Sequence, residues 1–491
     1  MRWETTPAEA IQAIIDDALR GELSEEQVHE LQRLGGPEAV VLALMAATKR
    51  IAAQDARIAD LLSQLDRRLA PDPATPSAMV PVYQKPTTPR RRKRPGARKG
   101  HPGSRRPTPE RIDQRKEHRL ECCPHCRGRL QRCNRTRTRI VEDIPEEIQP
   151  IVTEHTIHRD YCPACKKHVE PVVDEALPKA AVGHRLVALT AWFHYGLGVT
   201  IDQVVSILSH HLHARLSPGG LVSIWRRTAE ILTEWYEQIG REARESSHLH
   251  ADETGWRVSG KTHWLWCFAN SGVCYYMIDR SRGSPALHRF FTESFRGVLI
   301  HDFWAAYESV WAEDRQYCLV HLLRELEKVD QTNSSIPWRR FAKKLRRLVR
   351  DGIRLRKRSD FGPELYRRRI VLIDRRLNGL AWKSYDDADA ARIAKRLDRH
   401  VDHIFTFLDR PEIPWENNLA ERMLRPAVIL RKNSQSNRSE KGAAVQSILM
   451  SVYQTLRLRG QSPTKTIADA LKTYVATGRL PPLPANIVAD G

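Results

Sequence analysis

From Leu44 onward apolar residues return every seven positions, at Leu44, Ile51, Ile58 and Leu65, while Leu62 and Leu69 complete companion positions that Thr48 and Asp55 leave polar. A seven-residue repeat keeps one stripe of a helix apolar, so residues 1–70 are expected to hold a coiled-coil segment that pairs two copies of the chain. The half-made seam also suits a single amphipathic helix packed on its own protein. Over 71–118 the periodicity gives way to proline, glycine and cations, the composition of a linker. In 119–178 the stretches "RTRIVEDI" and "VTEHTIHRDYC" read as strands. Residues 179–240 turn helical in "GHRLVALTAWFHYGLG", "TIDQVVSIL" and "SPGGLVSIWRRTAEIL", with Ser217 before Pro218 as a helix start. Three helices with short turns fit a helix-turn-helix-like, DNA-binding-like unit.

The period changes again at Ser246. "SSHLHADET", "HWLWCFANSG" and "VCYYMIDRS" read as strands, "SPALHRFFTESF" as a helix, and "GVLIHDFWAAY" as a further strand ending at Asp302. Three strands, a helix and a strand open a ribonuclease-H-like α/β fold. The expected whole is a multidomain α+β chain. Its catalytic-type domain spans 241–440, with a helical insertion at about 332–410 and a C-terminal helical segment at 441–491.

Charge adds a partner. Of 491 residues, 80 are Lys or Arg against 59 Asp or Glu, a formal net charge of +21, which points to a polyanion and most simply to double-stranded DNA. Between Arg90 and Arg106 stand nine cations and no acid, beginning with Arg90, Arg91, Arg92, Lys93 and Arg94. Such density suits phosphate contacts that release counterions. In "WRRFAKKLRRLVRDGIRLRKR" one helical face carries Phe341, Leu345 and Leu348, and the other carries Arg339, Arg340, Lys343, Lys344, Arg346 and Arg347, which is expected to lie on DNA backbone. No apolar run approaches the ~20 residues of a membrane span and the N-terminus is too acidic for a signal peptide, so the expected place is the cytoplasm, on the nucleoid.

Thiols in that compartment stay reduced, so nine cysteines argue for metal or burial rather than disulfides. "CPHC" (Cys123, Cys126) and "CPAC" (Cys162, Cys165) each place two thiols on a tight knuckle. Together they offer four sulfur ligands to a structural Zn²⁺ in a zinc-ribbon-like module, with Cys122, Cys133 and His125 as stand-ins.

The acids of "HADETGW" raise the question of chemistry. Asp252 on the first strand and Asp302 at the end of the fourth can meet at one edge of such a sheet, and two-metal phosphodiester chemistry needs hard oxygen ligands for Mg²⁺ or Mn²⁺. A third carboxylate must come from elsewhere. The candidate is Glu421 in "PWENNLAERMLRP", with Asn417 and Asn418 one helical turn before it and Arg425 one turn after.

The motifs "HADETGW", "HDFWAAY", "CLVHLLREL" and "ENNLAERMLRP", in that order behind a zipper-like segment and a cysteine module, resemble the insertion sequence 66 family of bacterial DDE transposases. The likeness runs from about Leu44 to "GAAVQSILMSVYQTLRLRGQSP". It implies that Asp252, Asp302 and Glu421 form the metal-binding triad of a transposase that cleaves element ends and transfers strands as a homo-oligomer, with accessory proteins of the same element as candidate partners. Glu253 and Glu416 are rivals for the first and third acids. His321, Arg324 and Arg422 are supporting candidates, and His301 sits beside Asp302. A silent DNA-binding descendant and a nuclease of the same fold are the alternative functions.

Overall fold

The computed structural model describes residues 6–20, 24–69, 109–131, 137–434 and 436–487. The chain divides into two units, Met1–Pro86 with Glu327–Thr332, and Thr87–Leu326 with Asn333–Gly491. The predicted linker cations Arg90, Arg91, Arg92, Lys93 and Arg94, and Cys133, lie outside the described residues.

In the first unit α1 (Pro7–Arg20) packs on α2 (Glu25–Leu69). Gly36 breaks the helical path of α2 with φ 67, a left-handed conformation that glycine adopts without a Cβ clash, and Pro37 follows it. Ile14, Leu31, Ala39 and Ala43 form a small core there. Of the heptad residues beyond it, Leu44, Ile51 and Ile58 are exposed, and the side chains of Leu62, Leu65 and Leu69 lie outside those described.

The second unit begins with a hairpin of β1 (Asp160–Cys162) and β2 (Lys167–Val169). Here the sequence expectation is corrected. The strands read over "RTRIVEDI" and most of "VTEHTIHRDYC" do not form among the described residues, and Ile140, Val141, Ile144, Ile151 and Val152 stay exposed. A strand pattern is stable only when one face is buried, and among the described residues nothing covers this one.

Four helices follow: α3 (His184–Ala191), running into a π-helical turn at Trp192–Gly196, α4 (Ile201–His211), α5 (Pro218–Ile231) and α6 (Thr233–Arg244). Their starts are written locally. Thr200 and Gln203 cap α4 reciprocally, and Ser217 Oγ accepts the Gly220 N–H at 3.1 Å with Pro218 as the first residue of α5.

The sheet comprises β3 (His248–Val258), β4 (Lys261–Ala269), β5 (Cys274–Asp279), β6 (Phe295–His301) and β7 (Ala312–Tyr317), with α7 (Ser284–Phe290) before β6. Strand order is β5-β4-β3-β6-β7. The first three strands form an antiparallel meander, and β6 and β7 join in parallel. Helices α8 (Leu319–Thr332), α9 (Ile336–Arg356), α10 (Pro363–Ala381), α11 (Ala388–Arg399) and α12 (Thr406–Asp409) separate β7 from α13 (Asn418–Ser434), after which α14 (Glu440–Leu458) and α15 (Pro463–Thr477) end the fold. A sheet edge exposes unpaired backbone groups, and α14 covers that of β5. Ser451 Oγ and Thr455 Oγ1 accept the N–H groups of Tyr276 and Cys274 at 2.8 and 3.0 Å. Five tryptophans, Trp225, Trp235, Trp256, Trp266 and Trp338, are fully buried.

Candidate active site

Register brings the two aspartates together. In the parallel pair β3/β6, His250 stands opposite Ile300. Asp252 lies two residues further along β3, and Asp302 two residues further and just past the end of β6, so the register carries both to one level, where the Asp302 charge acts on Asp252. Asp252 Oδ1 accepts the Glu253 N–H and Asp302 Oδ1 the Trp304 N–H, each at 2.9 Å. Burial raises the Asp252 carboxyl well above its ordinary pKa, and the charges of Glu253, Asp302 and Glu421 raise it further. Asp302 is raised too, by burial, against the Trp304 N–H and the charges of Arg282 and Arg396, which lower it.

Glu253 turns to the opposite face, as strand alternation requires. Its Oε1 accepts Arg282 Nη2 at 2.8 Å and its Oε2 accepts Tyr307 Oη at 2.7 Å. Burial, with the Asp302 charge, pushes its pKa up to about 6 against the pull of Arg282. Arg282 is clamped between Trp264 and Trp304, its guanidinium carbon 4.6 and 4.0 Å from their rings. This buried ion pair sits directly beneath the aspartates.

Asn417 fastens α13 to the same strand. It is fully buried, its Nδ2 donates to the Ala251 carbonyl at 2.8 Å, and its Oδ1 lies 2.9 Å from His250 Nδ1. Its own N–H meets Cys318 Sγ at 3.2 Å. One turn on, half-buried Glu421 meets α8, where Arg324 Nη1 is 2.9 Å and His321 Nε2 is 3.6 Å from its Oε1. His321 and Arg324 share a helix face because they are three residues apart. Glu416 precedes the first turn of α13, Asn418 is half-buried, and Arg422 and Arg425 are exposed. His301 is wholly buried behind Asp302, its Nδ1 bonded to the Asp302 carbonyl, and burial lowers its pKa to about 3, so it stays neutral.

Sequence reasoning missed Arg282, Tyr307, Trp304 and Arg396. Arg282 and Trp304 lie in loops whose local pattern reads as solvated, and their value arises only where three segments converge on Glu253 and Asp302.

Among the described residues no three His, Cys, Asp or Glu side chains are gathered closely enough to make a ready metal cluster. The donor set nonetheless fits a hard divalent cation. Asp252 has three acids among the largest influences on it and no cationic side chain, so a cation would relieve the cost of ionising it. The cysteines stand differently. Each pair forms the same knuckle, closed by a residue with positive φ, Arg127 at 58° and Lys166 at 52°. N–H groups aimed at Cys123 and Cys162 lower their pKa values, chiefly those of Cys126 and Cys165 respectively. The two knuckles suit Zn²⁺ chemically, but among the described residues they are not assembled into one four-sulfur set.

On α9 the predicted apolar face is inside, with Phe341, Leu345 and Leu348 buried, while Arg339, Arg340, Lys343, Lys344 and Arg347 are exposed and Arg346 is half-buried. No helix among the described residues is long and apolar enough to cross a membrane.

The sequence pattern of the Transposase IS66 family matches residues 179–445, from α3 through the first turns of α14. Two proteins of Sinorhizobium fredii (strain NBRC 101917 / NGR234) are also similar. The one described as Uncharacterized protein y4jD is 23% identical over 402 residues, 72% of this chain and 75% of that protein. The one described as Uncharacterized protein y4qI is 27% identical over 299 residues, about half of each chain. The family match takes in the sheet, both aspartates and Glu421, and it covers more than half the length: the chain belongs to the Transposase IS66 family.

Proposed function

We propose that the chain is a DDE-type transposase of ribonuclease-H-like fold that binds the double-stranded ends of an insertion sequence, cleaves a strand there and joins the freed 3′ end to target DNA. The observation that carries this reading is the matched register of Asp252 and Asp302, two half-buried acids at one sheet level beside a helix that brings Glu421. Family membership and the strand order β5-β4-β3-β6-β7 support it.

In this reading Asp252, Asp302 and Glu421 hold Mg²⁺ or Mn²⁺. When bound, the cations supply Lewis-acid stabilisation of the attacking and leaving oxygens of an in-line displacement. Asp252 and Asp302 bind in their ionised forms. Glu253, Arg282 and Tyr307 fix the strand from behind, and the Arg282 charge offsets part of the repulsion between acids. Arg324 and His321 position Glu421, and Arg324, half exposed, faces the side from which a phosphate approaches.

The remaining assignments follow from charge and pattern. The α2 stripe pairs protomers, the basic linker and α9 grip backbone, and a Zn²⁺ module with α4 and α5 helps to select ends. A band-shift unaltered by removing residues 1–178 would remove the Zn²⁺ module from the last of these. The enzymatic reading is tested with a labelled duplex carrying the flanking end of the gene, Mn²⁺ or Mg²⁺, and wild type against Asp302→Asn. Cleavage and joining confined to wild type, with binding intact in both, is the expected result. Binding without cleavage by either would favour a silent DNA-binding protein.

A further inference from the structure

Residues 333–410 carry 22 Lys and Arg against 10 Asp and Glu, far more positive charge than a helical spacer needs for solubility. The charge is not spread on a convex face alone. Between α9 and α10 runs a cleft of about 570 Å³ lined by Arg354, Leu355, Phe361, Arg369, Leu372 and Arg376. A second recess of about 440 Å³, lined by Lys344, Arg347, Leu348 and Leu380, shares Arg376 with it. The two therefore follow one seam, roughly 16 Å long from Lys344 to Leu355 at the helical rise.

Its composition is unusual in two respects. The floor is apolar and partly uncovered, for Leu372 is 47% exposed on a helix face otherwise given to arginine. The walls are cationic beyond what their own acid neutralises. Asp351 is the acid of the larger cleft, and Arg376 holds it at 2.8 Å with Arg347 and Arg354 within 4 Å, at 3.9 and 3.8 Å. Lys344, Arg369 and Arg375 have no acid at ion-pair distance among the described residues.

A phosphate-bearing ligand satisfies the walls, and only one with open apolar faces satisfies the floor. Duplex DNA buries its base faces in the stack and presents phosphates and base edges. An unpaired strand presents both phosphates and faces. We propose that the α9/α10 cleft binds single-stranded DNA, with bases against Leu372 and against Phe361, whose ring lies under the Arg358 guanidinium at 4.3 Å, and phosphates on Arg354, Arg369 and Arg376. This deepens the transposase reading and rests on it, because strand cleavage at an element end is the source of the unpaired segment.

The test is fluorescence anisotropy on the full chain with three labelled probes of about 20 nucleotides: oligothymidylate, an abasic strand of the same length, and a duplex. Wild type binds oligothymidylate more tightly than the abasic strand. Phe361→Ala, and Leu372→Ser at an exposed position that does not threaten folding, each weaken oligothymidylate binding roughly tenfold, about one lost base contact, and leave abasic and duplex binding unchanged. Arg369→Gln weakens both single strands and lowers the salt slope by about one.

Equal wild-type affinity for oligothymidylate and abasic strands overturns the proposal. So does an equal loss for all three probes, or no loss, in both floor variants. Cleavage on element-end duplex is measured in parallel. Asp302-dependent cleavage without a single-strand preference defeats the cleft alone, whereas floor-dependent strand binding without any cleavage defeats the function on which it rests.

Discussion

Asp252 and Asp302, fifty residues apart, stand at one level of a sheet, whereas Cys123–Cys126 and Cys162–Cys165, closer in sequence, each meet only their own neighbour among the described residues. The contrast lies in what surrounds the donors. The aspartates are placed by a parallel strand pair within a buried core, and a second set of contacts from α13 fixes the approach of the third acid. The cysteine knuckles are placed by local turns, and the chain between them leaves its isoleucines and valines in solvent. Among the described residues neither the acids nor the thiols make a ready metal cluster, but long-range packing fixes the strands that carry the acids before any ligand arrives, whereas local turns alone set the knuckles.

The strongest way to break this comparison is at the sheet. Asp252→Asn or Asp302→Asn should lower cleavage of an element-end duplex by roughly 10³-fold or more, the order seen when a group stabilising transition-state charge is removed, with band-shift affinity unchanged. Cleavage that survives both substitutions would move the reactive centre elsewhere.

Next in size is the bolt between α13 and β3. Asn417→Ala leaves the Ala251 carbonyl and the His250 ring without their buried partner, which should cost roughly 2 to 4 kcal/mol in urea unfolding. A loss under about 0.5 kcal/mol would mean that α13 is held by apolar packing alone.

The electrostatics predict a pH dependence with a definite sign. Asp252, Asp302 and Glu253 have raised pKa values in the fold, so their protonated forms favour the folded state. That contribution is full below the ordinary carboxylate pKa and is lost as pH rises through the folded values, about 6 for Glu253. The metal-free protein should therefore lose melting temperature between about pH 5 and 7 relative to Glu253→Gln. The stabilisation given by Mn²⁺ should grow as pH rises, because binding needs Asp252 and Asp302 ionised and both are raised in the fold. A Mn²⁺ effect that is flat with pH would exclude these carboxylates as its ligands.

The smallest expected effect concerns the knuckles. Replacing Cys126 and Cys165 by serine should abolish retention of Zn²⁺, measured by metal analysis, yet leave the unfolding midpoint of the sheet unit within about 0.5 kcal/mol, as for surface changes generally. A large loss of sheet stability would erase the contrast between the two regions.

Much of the frame is legible in short stretches of sequence. Ser217–Pro218 announces the start of α5, the amphipathic spacing of Phe341, Leu345 and Leu348 announces the buried face of α9, and the change to strand alternation at Ser246 announces β3. Each is a local signal, a cap or a period, and needs no distant partner to be read. The strands expected between the cysteine pairs show the limit of that logic, since alternation marks a face that can be buried without supplying the surface that buries it.

What the sequence by itself determined is therefore the order of elements, the acids and thiols available, the knuckle turns and the cationic character of the 333–410 helices. Tertiary structure alone decided that Asp252 and Asp302 share a level, that Arg282 and Tyr307 close on Glu253 from separate segments, that Asn417 ties α13 to β3, and that α9 and α10 enclose an apolar floor between arginine walls. The reason is physical. Period and capping act over a few residues through backbone geometry, while strand register and helix packing join residues tens to hundreds of positions apart, and only the minimum of the whole chain's free energy selects which of them meet.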